Sequence, residues 1–409
     1  MATITDYLPL LVGLLSLLVG LWAGKAWERY KLHDGRWVDR RKARHSPHYI
    51  LGLNFLVSNQ VDQAVEELSH AAGLDQDSLE THVILGNLYR ERGQVGRAIQ
   101  VHQLLLQRSR LSRVEHGYVL LCLGLDFKRG GFVGRALEAF NEVLRLDPTN
   151  RYALLNLEKL HEEQHQWAEA YAIRQRVMEL GSDESAAADR TILAFLEHAL
   201  GLEALAAGDT ATASQRFQAA IDRDRTTVPA YLSLGDLRAT QGDDEGAIAA
   251  WEDVVRVAPE RAYLAFDRLE AAHRRLGHPE RFVRACEALI RDNPQDWRAH
   301  RALAHQLAGS GEVRRSLELL FEALAQSPHA LTIHQAIWHS LSELGLPDDQ
   351  IRRYVDLTQE SVFYLDPHIC TRCRYRSTEL LWHCPHCHEW NTFVEEWISP
   401  AKDAEGAPA

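Results

Sequence analysis

The sequence predicts an all-α protein: a superhelix of repeated helix pairs, with one N-terminal transmembrane helix and a small C-terminal metal ribbon. Three observations predict it. Small and apolar residues recur with a period near 34, residues 7–24 form an uncharged apolar stretch, and two C-x2-C pairs lie within residues 370–387. At 409 residues and 46% hydrophobic, the chain is long enough to bury one large core or a series of small ones. A net charge of −12 argues against a nucleic-acid partner, which normally meets a basic face.

The first element is YLPLLVGLLSLLVGLWAG, Tyr7 to Gly24. Eighteen helical residues reach ~27 Å at ~1.5 Å each, enough to cross a hydrocarbon core. MATITD ahead of it holds no Lys or Arg, unlike a secretory signal peptide. The bases follow it: Lys25, Arg29, Lys31, Arg36, Arg40, Arg41, Lys42 and Arg44, against Glu28, Asp34 and Asp39. The positive-inside rule therefore predicts an uncleaved single-pass anchor (1–24), an outward N-terminus, a basic linker (25–44) and a cytoplasmic remainder. The linker also suits inner-membrane lipid headgroups. Ser16, Gly20 and Gly24 share one helix face, a small-residue stripe that admits a second helix closely, whether another copy or a membrane partner. Homodimerisation stays open.

From residue 45 to 330 the pattern is helical and periodic. Gly52, Phe55, Ala64 and Leu68 stand at offsets 0, 3, 12 and 16, and the same offsets hold Gly86, Tyr89, Ala98 and His102. They recur as Gly124, Phe127, Ala136 and Phe140, as Gly201, Ala204, Ala213 and Phe217, and as Gly235, Arg238, Ala247 and Trp251. Weaker copies are anchored on Glu158, Glu270 and Ala304, and Pro148, Pro259, Pro294 and Pro328 stop second helices at offset 24. A small residue at offset 0 lets paired helices approach, alanine at offset 12 makes the matching contact, and the bulky positions fill the space between pairs. One pair cannot bury its apolar face alone, but a stack can. Longer spacings mark insertions near 110–115 and 181–189, the second reading as a polar loop. Two capping helices are expected within 331–365, near 330–344 and 347–360.

The 34-residue period and these positions resemble the tetratricopeptide-repeat family, over about eight helix pairs. That resemblance implies a groove lined by first-helix residues one and four places after the anchor, which selects Asn87, Arg90 and Lys128 as candidate partner contacts. The chain has no phosphate loop, no H-E-x-x-H and no G-x-S-x-G, so the expectation is a protein without enzymatic activity. His161 and His165 lack a third ligand and read as surface histidines. Cys122 and Cys286 read as buried helix residues.

The ribbon spans 366–398 and its ligands are Cys370, Cys373, Cys384 and Cys387. Four thiolates close a tetrahedral shell around one zinc ion and leave no position for a reactive water. Iron is the competing metal for such a shell. The arrangement resembles the rubredoxin type of ribbon, in which glycine usually follows each knuckle. Here Arg374 and His388 stand at those places, which favours zinc over an electron-carrying iron. His383, His386 and His388 are expected bystanders. Trp382, Trp390, Phe393 and Trp397 offer apolar area, inside the ribbon or against the helices. Residues 399–409 read as a disordered tail.

The order of anchor, basic linker, repeats and ribbon, with C-x2-C-x10-C-P-x-C-x2-W ending on Trp390, resembles the lipopolysaccharide assembly protein B family of Gram-negative bacteria. The resemblance implies a non-enzymatic adaptor of the inner membrane, with a periplasmic N-terminus. It further implies three partners: a membrane AAA+ protease, the UDP-acyl-N-acetylglucosamine deacetylase of the lipid A pathway, and a membrane-embedded regulator of lipopolysaccharide synthesis. The general alternatives are a membrane-tethered co-chaperone or assembly scaffold, and an iron-loaded redox protein.

Overall fold

A computed structural model describes residues 46–109, 111–181, 183–327, 330–345 and 368–395. The expected anchor with its Ser16/Gly20/Gly24 stripe, the basic linker, the second capping helix, Trp397 and the tail lie outside the described residues. Among the described residues, no helix is long and apolar enough to cross a membrane.

The described residues form seventeen α-helices and one three-stranded sheet. The helices are α1 Pro47–Val57, α2 Val61–Leu74, α3 Leu79–Glu91, α4 Val95–Leu106, α5 Arg113–Arg129, α6 Val133–Leu146 and α7 Arg151–Glu163. They continue as α8 Trp167–Glu179, α9 Asp183–Ala206, α10 Thr210–Arg223, α11 Val228–Thr240, α12 Asp244–Val257 and α13 Tyr263–Arg275. The last are α14 Pro279–Asp292, α15 Trp297–Gly309, α16 Val313–Gln326 and α17 Leu331–Glu343, the first of the two expected caps.

Local chemistry explains the boundaries. Ser112 and Glu115 form a capping box at the start of α5, and Asp209, Asp243 and Asp296 accept backbone N–H groups at the starts of α10, α12 and α15. Pro148, Pro259 and Pro294 stand two residues beyond the ends of α6, α12 and α14. Between first and second helices the backbone turns through a left-handed residue seven places after each anchor. That residue is glycine at 93, 131, 208, 242, 277 and 311, with φ from 73° to 87°, and Asn59 and His165 in the other two repeats.

The anchor glycines do what close approach requires. A Cβ on Gly52, Gly86, Gly124, Gly201 or Gly235 would lie within 2.2–2.6 Å of Leu68, His102, Phe140, Phe217 or Trp251. The bulky residue at offset 16 thus covers the glycine of its own pair. The alanines at offset 12 (64, 98, 136, 213 and 247) are fully buried.

The insertions differ from expectation in one respect. Residues 183–189 are no loop: they open α9, which runs for 24 residues. Three successive alanines, 186–188, favour helix, and buried Asp189 holds the Arg174 guanidinium of α8 at 2.9 Å. A polar sequence therefore stays helical because its acid has an internal partner.

The chain gathers into two compact units divided between Leu160 and His161. Within the first, one core joins Tyr49, Leu68, Leu85 and Leu88, and another joins Val83, Leu105, Val119 and Cys122. Its core also holds a polar network: fully buried His102 meets Asp126 at 2.5 Å, and Arg90 donates to the same carboxylate at 3.0 Å. Within the second unit the main core includes Phe217, Tyr231, Trp251, Phe266, Phe282 and Cys286. Burial pushes the Cys122 thiol up to about 11 and that of Cys286 to about 12, so both are inert core residues, as the sequence suggests.

Candidate metal centre and the face beneath it

The ribbon belongs to the second unit. Strands β1 His368–Cys370, β2 Arg376–Ser377 and β3 Phe393–Glu395 form an antiparallel sheet in the order β2-β1-β3. Cys370 pairs with Phe393 across β1 and β3, and a bridge joins His383 to Trp390. Each C-x2-C pair makes the same knuckle. The amide of Arg374 donates to the Cys370 carbonyl at 2.9 Å, and the amide of His388 donates to Cys384 at 2.9 Å. Arg374 and His388 are left-handed, with φ of 64° and 55°. They occupy the conformation that glycine supplies more cheaply.

These knuckles bring the four predicted ligands together. The sulfurs of Cys370, Cys373, Cys384 and Cys387 all lie within 4.8 Å of one another, with Cys370–Cys387 at 3.7 Å and Cys373–Cys384 at 3.6 Å. A tetrahedral shell with metal–sulfur bonds of ~2.3 Å has sulfur–sulfur edges of ~3.8 Å, so the donor set fits one four-sulfur metal ion. Burial opposes ionisation of Cys370. Hydrogen bonds from the Thr392 hydroxyl and the amides of Cys373 and Arg372 outweigh it and hold this thiol at about 6. Burial pushes Cys387 up to about 12, with the neighbouring thiols adding to the rise. A bound cation compensates the charge that four thiolates would otherwise crowd into one small cluster.

Inside the ribbon, Cys370, Cys384 and Phe393 are buried against Leu380 and Leu381. The tryptophans turn elsewhere. Trp390 stacks on Phe195 of α9 with ring centres 5.5 Å apart, and meets Trp167 of α8 edge-on at 6.0 Å. Its indole N–H donates to buried Glu162, near the end of α7, at 2.9 Å. Trp382 lies 6.2 Å from Phe195, and the Arg261 guanidinium rests over its ring at 5.1 Å. Arg261 also donates to Asn391 at 2.8 Å. Arg298 at the start of α15 pairs with Glu395 and covers the Tyr263 ring at 4.3 Å.

The ribbon is thus seated on repeats whose first helices are α7, α9, α13 and α15. The histidines behave as bystanders to the sulfur cluster. His383 and His388 face Glu162 and Glu163 at 3.4 Å each, and His386 stacks on Tyr375. His161 hydrogen-bonds Gln166, while His165 forms the turn before α8.

The other predicted contacts lie in the first unit. Arg90 is directed at Asp126 and the Cys122 carbonyl, Asn87 interacts with the Cys122 side chain, and Lys128 reaches Asn156 at 3.4 Å. Sequence reasoning missed the seating residues Glu162, Phe195, Arg261 and Arg298. Glu162 does satisfy the groove rule, four places after Glu158, whereas Phe195 and Arg298 each precede an anchor by six.

Residues 368–395 match the family described as Rubredoxin metal binding domain, and residues 81–113 and 198–262 match tetratricopeptide repeat families. A tetratricopeptide repeat protein from Parabacteroides merdae, with a solved structure, is 15% identical with a TM-score of 0.35, covering 76% of this chain and 97% of that one. Lipopolysaccharide assembly protein B from Haemophilus influenzae is 24% identical, with 97% of this chain and 100% of the relative covered. The protein of that name from Escherichia coli K12 is also 24% identical, over 96% of this chain and 99% of its own length. From first repeat to ribbon, this chain is therefore similar to lipopolysaccharide assembly protein B along nearly its whole length.

Proposed function

We propose that the chain is a non-enzymatic adaptor of the bacterial inner membrane that regulates lipopolysaccharide synthesis. In this reading it presents the UDP-acyl-N-acetylglucosamine deacetylase to a membrane AAA+ protease, under a membrane-embedded regulator. The observation that carries the reading is the similarity to lipopolysaccharide assembly protein B over 96% of the chain, repeats and ribbon together. Repeat arrays present extended surfaces to partners and seldom catalyse, which suits an adaptor. Residues 7–24 would hold it in the membrane, and Ser16, Gly20 and Gly24 would meet the regulator's helix.

The ribbon takes one zinc ion on Cys370, Cys373, Cys384 and Cys387. The metal's contribution is charge compensation for four thiolates, which fixes both knuckles. Glycine-free knuckles with Arg374 and His388 favour this structural ion over an electron-carrying iron.

The test is the deacetylase half-life in cells with and without the protein, with co-purification from solubilised membranes. The proposal expects a longer half-life on deletion, and recovery of both deacetylase and protease with the intact chain. A half-life indifferent to deletion overturns it. Metal analysis of purified chain should give colourless protein with one zinc per chain, and stoichiometric iron would overturn the zinc assignment.

A further inference from the structure

The four sulfurs do not share one environment. Cys370 and Cys384 are fully buried, whereas Cys373 and Cys387 are half-buried. A sulfur that water does not reach must find its hydrogen-bond donors within the protein. Backbone amides supply some of them: those of Arg372 and Cys373 serve Cys370, that of Tyr375 serves Cys373, and that of Glu389 serves Cys387. Cys370 has a further partner from outside both knuckles. The Thr392 hydroxyl oxygen lies 3.2 Å from its sulfur.

The direction of that bond depends on what the sulfur carries. A protonated Cys370 gives its own hydrogen to the hydroxyl oxygen, which is then free to donate to the Glu389 carbonyl at 3.5 Å. That carbonyl already accepts the Cys384 amide at 3.0 Å. A metal-bound sulfur has no hydrogen to give, so the hydroxyl turns and donates to it, a charge-assisted bond stronger than the one it leaves.

The backbone holds this hydroxyl in place from both sides. The Thr392 carbonyl accepts the Thr371 amide at 2.9 Å and the Thr371 hydroxyl at 3.2 Å. One residue earlier, the Asn391 amide donates to the Trp382 carbonyl at 2.7 Å, and its side chain takes the Arg261 guanidinium at 2.8 Å. One residue later, Phe393 pairs with Cys370 itself across β1 and β3. A donor fixed in this way orients its acceptor without losing further freedom when the metal arrives.

We propose that Thr392 is a positioning residue of the metal centre, whose hydroxyl donates to the Cys370 sulfur once the metal is bound. The bond orients that sulfur and lowers the energy of its lone pairs, so less charge passes from Cys370 to the metal. This rests on the four-sulfur reading and adds to it a fifth side chain on which metal affinity depends.

The test compares three variants of the full-length protein. Thr392→Val keeps the shape and removes the hydroxyl, Thr392→Ser keeps the hydroxyl and removes the methyl group, and Thr371→Val removes the neighbouring hydroxyl, which donates to a carbonyl. Zinc affinity is read by competition with a chelator dye. The sulfur-to-metal charge-transfer band is read at saturating Co2+, so that a weakened variant still reports. Thr392→Val should bind zinc about 10–100-fold more weakly and move the band to lower energy. Thr392→Ser should keep both close to those of the unmodified chain, and Thr371→Val should leave the band in place. Affinity and band both unchanged in Thr392→Val overturn the proposal, as does a Thr392→Ser or a Thr371→Val variant that matches it. Failure of the four-sulfur reading looks different, because the unmodified chain would then show no sulfur-to-cobalt band at all.

Discussion

The repeats and the ribbon solve the same problem, too little core per unit of chain, by different means. Five of the helix pairs set a glycine under one bulky residue, such as Gly235 beneath Trp251, and a pair gains the rest of its core from its neighbours. The ribbon's 28 described residues bury Ile369, Cys370, Cys384 and Phe393, with two of the four being metal ligands. The first design is distributed and tolerates loss at one place. The second is concentrated, and loss of its ion removes most of what holds it. A regulated surface placed on the ribbon therefore inherits metal dependence that the helices do not share.

The sharpest way to break this contrast is to remove two ligands. Cys370→Ser/Cys373→Ser should abolish metal binding and ribbon structure while far-UV circular dichroism of the helices stays nearly unchanged. A collapse of helicity would show that the repeats lean on the ribbon. Next in size, Gly235→Ala should cost about 1–3 kcal/mol, because its Cβ would meet the Trp251 indole nitrogen at 2.2 Å, inside a packed core. Thermal unfolding of the second unit reads the loss directly.

A comparable effect comes from acid. Burial pushes the His198 imidazole down to about 4, and its Nε2 lies 2.9 Å from the Ser233 hydroxyl. Below about pH 6.5 the unfolded chain binds a proton that the folded chain refuses. Stability present above that pH is lost as pH falls towards 4, on the order of 3 kcal/mol in all. His198→Gln should flatten that dependence in denaturant titrations between pH 7 and pH 4. The smallest change is Arg374→Gly. Glycine adopts the left-handed knuckle without strain, so apo-ribbon folding should gain about 1 kcal/mol and metal affinity a few-fold, measured by competition with a chelator dye.

Much of this was legible in sequence because it is periodic or chemically narrow. The offsets found the helix pairs, since only a small residue fits under Leu68, Phe140 or Trp251. Two C-x2-C pairs found the sulfur cluster, since few other arrangements of four thiols recur at that spacing. A further signal lay in plain view: the glycines at 93, 131, 208, 242, 277, 311 and 345 all turn left-handed. Three things escaped in whole or in part. The segment 183–189 looked like a loop because the Arg174–Asp189 partnership is tertiary. Nothing local reveals the partner of Arg90, since Asp126 lies 36 residues further along the chain. The seating of the ribbon was legible only as one of two places for its tryptophans, since Trp390 and Glu162 are 228 residues apart and no spacing rule connects them.

Amide hydrogen exchange on the full-length protein, with and without chelation of its metal, tests the central claim most directly. The account predicts that chelation strips protection from residues 368–395 and from the seating face around Phe195, Tyr263 and Arg298. Protection across Val119–Phe127 in the first unit should stay as it was. Loss of protection in the ribbon with none at the seating face, or an equal loss in both units, would contradict it.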